Sequence, residues 1–138
     1  MKKFATRLID WGSKEGRNDL PWKEKTNGNY DPYKIWVSEI MLQQTRLASV
    51  LTKFDDFMDR FPTVEILAKS SLEDVIQVWS GLGYYGRARN LYKGAKIIFN
   101  ERKGRFPANA SGWGRIPGVG SSTSAAISSF VKGERVAL

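Results

Sequence analysis

Apolar residues in this chain recur three and four positions apart, and every such run is soon closed by glycine, proline or a capping residue. Trp36 and Ile40 continue to Leu47, with Ile35 and Leu42 beside them. Val50, Leu51, Phe54, Phe57, Met58 and Phe61 repeat the pattern. No stretch of useful length alternates apolar with polar, so there is no strand signal. A chain punctuated this way has one economical solution, a set of short helices that bury their apolar faces on one another. The expected class is all-α, without an internal repeat.

Taken in order, Phe4, Leu8 and Trp11 share one side of an expected helix over 2–15, which Gly16 closes. Residues 17–30 read as a polar loop interrupted by Leu20-Pro21-Trp22. Asp31-Pro32 has the form of an N-cap followed by proline at the first helical position. Pro62 ends the helix that starts at Leu47, and Thr63 opens a short one. Ser71-Leu72-Glu73-Asp74 resembles a capping box with Asp in the last place. Gly81 to Gly86 breaks the pattern, a basic helix is expected over 87–101, and 104–114 reads as a loop. Ile116 to Gly120 is a tight turn, after which Ser121 or Ser122 is expected to cap a helix from Thr123 to Lys132.

The length of 138 residues suits one domain with a real core. The start lacks an uninterrupted apolar segment and a small-residue cleavage site, and no run reaches transmembrane length, so neither a signal peptide nor a membrane is expected. Absence of cysteine excludes disulfides, thiolate metal sites and an iron–sulfur cluster within these residues. Absence of histidine excludes His-ligated zinc and leaves acid–base work to a shifted carboxyl, Lys or Tyr. A net charge of +8 suits a polyanionic partner, although many small basic proteins bind nothing acidic specifically.

Three stretches carry candidate chemistry. Glu39 stands among Val37, Ile40, Met41 and Leu42, where desolvation favours the protonated form that a general acid needs; from this stretch alone a solvated helix residue is the commoner reading. Gly81-Leu82-Gly83-Tyr84-Tyr85-Gly86 sets one leucine and two tyrosines before Arg87 and Arg89, an arrangement suited to wedging into DNA, or simply to packing the core. Pro117-Gly118-Val119-Gly120 ahead of a helix suits a backbone grip on one phosphate, or an ordinary turn. Trp22 is either a core anchor or the wall of a substrate site.

Together these segments resemble a known family. Leu20-Pro21-Trp22, Asp31-Pro32-Tyr33, Ser38-Glu39-Ile40-Met41-Leu42-Gln43-Gln44-Thr45, Gly81-Leu82-Gly83-Tyr84-Tyr85, Arg87-Ala88-Arg89-Asn90 and Pro117-Gly118-Val119-Gly120 occur in the order and spacing of the MutY-type adenine DNA glycosylases of the helix-hairpin-helix superfamily. The resemblance implies a six-helix barrel module over 30–138 with its hairpin at 116–120, preceded by a helix and loop over 1–29. It implies removal of adenine mispaired with 8-oxoguanine or guanine in double-stranded DNA, the adenosine being flipped out of the duplex. Glu39 matches the catalytic acid, and Trp22, Lys23, Leu42 and Ser122 match the adenine pocket. Gln43, Gln44, Thr45, Leu82, Tyr84, Arg87 and Arg89 match DNA-binding and mismatch-probing positions, and Pro117, Gly118, Val119 and Gly120 match the phosphate grip. Ser122 stands where lyase relatives carry a Schiff-base lysine, so that mechanism is not expected. The resemblance also implies a monomer and, if the source is a bacterium, a cytoplasmic, nucleoid-associated place.

The departures concern what the chain omits. In the family an Asp-Gly-Asn-Val segment, four cysteines of a 4Fe–4S module and a further domain follow the position of Leu138. The Asp stabilises the sugar cation, so residues 1–138 alone are expected to excise little adenine. Two other readings are a DNA-binding module without turnover and a superfamily glycosylase with another base preference. Gly112 and Gly114 fall where relatives have a regular helix and weaken one here.

Overall fold

The computed structural model describes residues 20–23, 25–26 and 29–132. The expected helix over 2–15 lies outside them. Among the described residues the fold is all-α, its strands being a two-residue antiparallel pair, β1 (Lys25–Thr26) and β2 (Asn29–Tyr30). This pair, and the 3-10 turn Pro21–Lys23 before it, lie in the stretch read as a loop. Seven α-helices follow: α1 (Pro32–Leu42), α2 (Leu47–Arg60), α3 (Val64–Lys69), α4 (Leu72–Trp79), α5 (Gly86–Lys96), α6 (Ala110–Trp113) and α7 (Ser121–Lys132). A π-helical turn, Ile97–Glu101, continues α5.

Local chemistry explains most of the helix starts. The side chain of Asp31 accepts a hydrogen bond from Tyr33 N, with Pro32 behind it at the first helical position. Thr63 accepts from Ile66 N and Ser71 from Asp74 N. The last helix departs from expectation: Ser124 N donates to Gly120 O at 2.8 Å, so Gly120 takes the capping place and Ser121 and Ser122 lie exposed in the first turn. α6 was expected as loop; Asn109 caps it by accepting from Gly112 N, and fully buried Trp113 anchors its single turn.

α1 is the element around which the others close. Tyr33, Ile35, Trp36, Val37, Ser38, Ile40 and Met41 are all buried, so this helix is covered on nearly every side. α2, α5, α7 and the 3-10 turn all pack against it. Leu47 does not extend its stripe, because the chain turns at Gln43–Arg46 and Leu47 opens α2. Leu20 and Trp22 join the same core, Trp22 meeting Phe54 edge-on at 5.0 Å. Two polar ties join the outer helices: Lys96 donates to Ala68 O at the end of α3, and Tyr92 to Ser70 O. The ion pairs Arg60–Asp74 and Lys69–Glu65 are solvent-exposed and contribute little.

Candidate active site

Glu39 sits mid-way along α1, between residues that are buried, and is itself half-buried. Burial raises its carboxyl above the ordinary carboxylate range, and the positive charge of Lys23 opposes that rise. Lys23 comes from the 3-10 turn, and its ammonium lies 4.4 Å from the centre of the Phe130 ring on α7. The carboxyl therefore stands near the meeting of three elements, protonated more readily than a solvated glutamate. The solvated-residue reading of Glu39 does not hold, because neighbouring elements remove water that the helix by itself would leave in place.

The linkage to stability has a definite sign. A raised folded-state pKa means that stability is fully present below the unfolded value near 4.5 and is lost as pH rises through the folded value. Glu39→Gln removes that loss. The variant is expected to melt above the unsubstituted chain at pH 8, with the advantage shrinking toward pH 4. Thermal denaturation followed by circular dichroism across this range checks it, and equal melting temperatures at every pH would count against burial of the charge.

Beyond Leu42 the chain leaves helical geometry. Gln44 takes the left-handed conformation at φ 57° and is exposed, and Thr45 is half-buried with its hydroxyl donating to Gln43 O. Tyr84 does the same in the second segment, at φ 48° and 64% exposed. Non-glycine residues seldom adopt this conformation, and it marks positions that the surrounding structure over-determines.

What holds these two turns is Arg87. Its Nη1 donates to the carbonyls of Ile40, Met41 and Gln43, and its Nη2 to those of Leu82 and Gly83. Trp79 Nε1 also donates to Gly83 O, and the guanidinium lies over the rings of Trp79 and Tyr84 at 5.2 and 5.7 Å. Arg87 is thus buried and occupied by the protein's own backbone, which corrects its expected place on the DNA-facing surface. Leu82 is corrected likewise: it is buried with 7% exposure, while Tyr84 and Tyr85 project outward. Glycines at φ 96° and 72° on either side of Leu82 let the turn swing its leucine inward. Arg89 is exposed and lines a groove between α4 and α5 with Leu72, Ile76 and Tyr85.

The hairpin closes the arrangement. Val119 N donates to Ile116 O, Pro117 occupies the second place and Gly118 the third at φ 81°, which is the signature of a type II turn. A Cβ on Gly118 would also lie 2.8 Å from Asn90 Nδ2, so the close approach of α5 admits only glycine. Val119 is buried and Gly120 exposed. The Gln43 amide donates to Gly118 O and Thr123 Oγ1, both at 3.2 Å, and so fastens the hairpin to the end of α1. In this structure the amide expected to probe the duplex is engaged within the protein.

Of the expected pocket residues, Lys23 lies near Glu39, Leu42 is half-buried one turn on, and Ser122 is exposed at the start of α7. Trp22 is 2% exposed and packed on Phe54, so it is a core anchor in this conformation rather than a wall. Sequence reasoning passed over Arg46 and Arg115, two exposed cations adjoining the Gln44–Thr45 turn and the hairpin. Their adjacency to the two motifs was the signal. The chain has no cysteine, so its residues do not fit the iron–sulfur cluster expected of relatives. No helix among the described residues is long and apolar enough to cross a membrane.

Residues 37–128 match the HhH-GPD superfamily of base excision DNA repair proteins. The chain is 46% identical over 127 residues to the adenine DNA glycosylase of Buchnera aphidicola subsp. Acyrthosiphon pisum (strain APS), covering 92% of this chain and 35% of that protein. It is 45% identical over 132 residues to the adenine DNA glycosylase of Rattus norvegicus, covering 25% of that protein. The chain thus spans about a third to a quarter of these relatives. Among solved structures, a thermostable thymine-DNA glycosylase is similar at TM-score 0.77 and 29% identity, covering 98% of this chain and 60% of that one. A trapped endonuclease III–DNA complex shares the fold at TM-score 0.71 and 18% identity, covering 94% of this chain and 57% of that one.

Proposed function

We propose, for a chain that belongs to the HhH-GPD superfamily of base excision DNA repair proteins, that it carries the acid and the duplex-gripping half of an adenine DNA glycosylase. The observation that carries this reading is the junction at the end of α1. Glu39 lies on that helix; Arg87 ties the carbonyl of Gln43, next to the left-handed Gln44, and the turn that displays Tyr84 to its end, and Gln43 fastens the hairpin at 116–120 there. In this reading the module spans residues 30–138 and acts on adenine opposite 8-oxoguanine or guanine in double-stranded DNA.

The chemistry follows from the groups. Protonated Glu39 gives its proton to a ring nitrogen of the flipped adenine. The C–N glycosidic bond then breaks with its electron pair moving to the base, water adds to the sugar carbon left electron-poor, and the proton that water loses returns to the Glu39 carboxylate. Lys23 and Leu42 border the base, while Gln44, Thr45 and Tyr84 occupy the space it vacates. Ser122 at the start of α7 offers no amine for a Schiff base. Pro117 to Gly120 and the α7 N-terminus receive a phosphate through backbone N–H groups.

Arg46, Arg89 and Arg115 are the exposed cations adjoining these three segments. Neutralising about three phosphates gives a salt slope near −3, so affinity for a duplex is expected to fall about 10- to 100-fold between 50 and 200 mM salt. Fluorescence anisotropy of a labelled duplex measures it. Salt-independent binding would leave the reading without its polyanionic partner.

A further inference from the structure

The left-handed residues at 44 and 84 lie forty positions apart in sequence, yet one side chain reaches the backbone beside both. We infer that Arg87 is a positioning residue, whose guanidinium holds Gln44 and Tyr84 in register as one two-pronged probe of the duplex. The role in DNA recognition rests on the proposed function; the holding itself does not.

The argument is geometric. Met41 and Gln43 present carbonyls at the end of α1, where intrahelical partners run out, and Ile40 O, which also accepts from Gln43 N, joins them. Leu82 and Gly83 present carbonyls from the glycine-rich turn. A planar guanidinium supplies two separate nitrogens, one to each set, in a fixed fork. Trp79 and Tyr84 take its π-faces, so the ring of Tyr84 is tied to the same group that fixes Gln43, the residue before Gln44. Among the described residues, Gln44 and Tyr84 are two of the three non-glycines at positive φ, the third being Lys103. Such conformations persist only where something holds them. A lysine keeps the charge but concentrates its donors at one point, and cannot serve both sets in the same way.

The test is Arg87→Lys in the full chain. Three amides report on the two turns in the free protein: Gln43 N bonded to Ile40 O, Leu82 N to Trp79 O, and the amide at position 87 to Tyr84 O. Their hydrogen exchange is expected to quicken at least tenfold, while Leu67 N, bonded to Thr63 O in α3, stays within about twofold. In the second arm, a duplex carries 2-aminopurine beside an adenine–8-oxoguanine pair. The variant is expected to bind it within about threefold of the parent at low salt, yet to give about a tenth of the emission rise that unstacking produces. Unchanged exchange at the three amides overturns the inference whatever the DNA does, and so does an undiminished emission rise. An unsubstituted chain with no emission rise, beside quickened exchange in the variant, sinks the proposed function and leaves the clamp standing. Should Arg87→Lys not fold, Gln44→Gly and Tyr84→Gly added together are expected to restore folding, since glycine needs no holding at positive φ. A triple variant that also fails to fold overturns the inference.

Discussion

Glu39→Gln is expected to slow adenine release about 10²- to 10⁴-fold, the range that a positioned general acid supplies. Glutamine preserves the shape of the side chain and removes only the transferable proton, so the loss reports chemistry. The unsubstituted rate has a predictable pH dependence. Burial raises the Glu39 pKa, so the acid form persists to higher pH than in a solvated glutamate, and the rate falls as pH climbs through that value. The variant has no such limb. Single-turnover release of adenine from a duplex with adenine opposite 8-oxoguanine gives both results. The measurement is best made on residues 1–138 joined to the remaining length of a curated relative, which brings the aspartate and cluster module that the resemblance implies. Equal rates for parent and glutamine variant would move the proton to another group and dissolve the division of labour proposed above.

Trp36→Ala is expected to cost about 3–5 kcal/mol, the range for deleting a large buried aromatic. Trp36 is fully buried, with the rings of Tyr33 and Trp113 at 6.3 and 6.1 Å. It also meets α5 where only glycine fits: a Cβ on Gly94 would lie 2.8 Å from both Trp36 Cζ2 and Ile116 Cγ2. Removing the indole therefore opens the place where α1, α5 and the approach to the hairpin converge. Domains of this size have about 5–15 kcal/mol in total, so the variant sits near the edge of folding. Trp36→Phe separates packing from polarity. The indole N–H has no partner among the described residues, and burying it unpaired is costly. Phenylalanine removes that burden while filling most of the space, and is expected to cost well under half as much. Urea unfolding with unchanged m-values measures both. A phenylalanine variant as unstable as the alanine one would mean that the N–H is satisfied, contrary to its environment here.

Features settled within a few residues could be read without the fold. Asp31, Thr63 and Ser71 cap because their oxygens reach an amide two or three positions away, whatever else surrounds them. Pro117-Gly118 turns because one residue presets its own φ and the other tolerates a positive one. The order of the segments around Glu39, Gln44, Tyr84 and the hairpin was likewise legible from type and spacing. Tertiary structure decided which way side chains face and what they meet. Arg87 reads in sequence as a surface cation on a basic helix, yet it points inward. Three of its partners, 44–47 positions back along the chain, are carbonyls at the end of a helix. Leu82 and Tyr84 were both expected to face DNA; Tyr84 is exposed, whereas Leu82 turns inward because the glycines flanking it set the direction of the turn. Gln43 spends its amide on Gly118, 75 positions away. The acidity of Glu39 belongs to the same class, since desolvation depends on which neighbouring elements cover the helix and no local pattern specifies them.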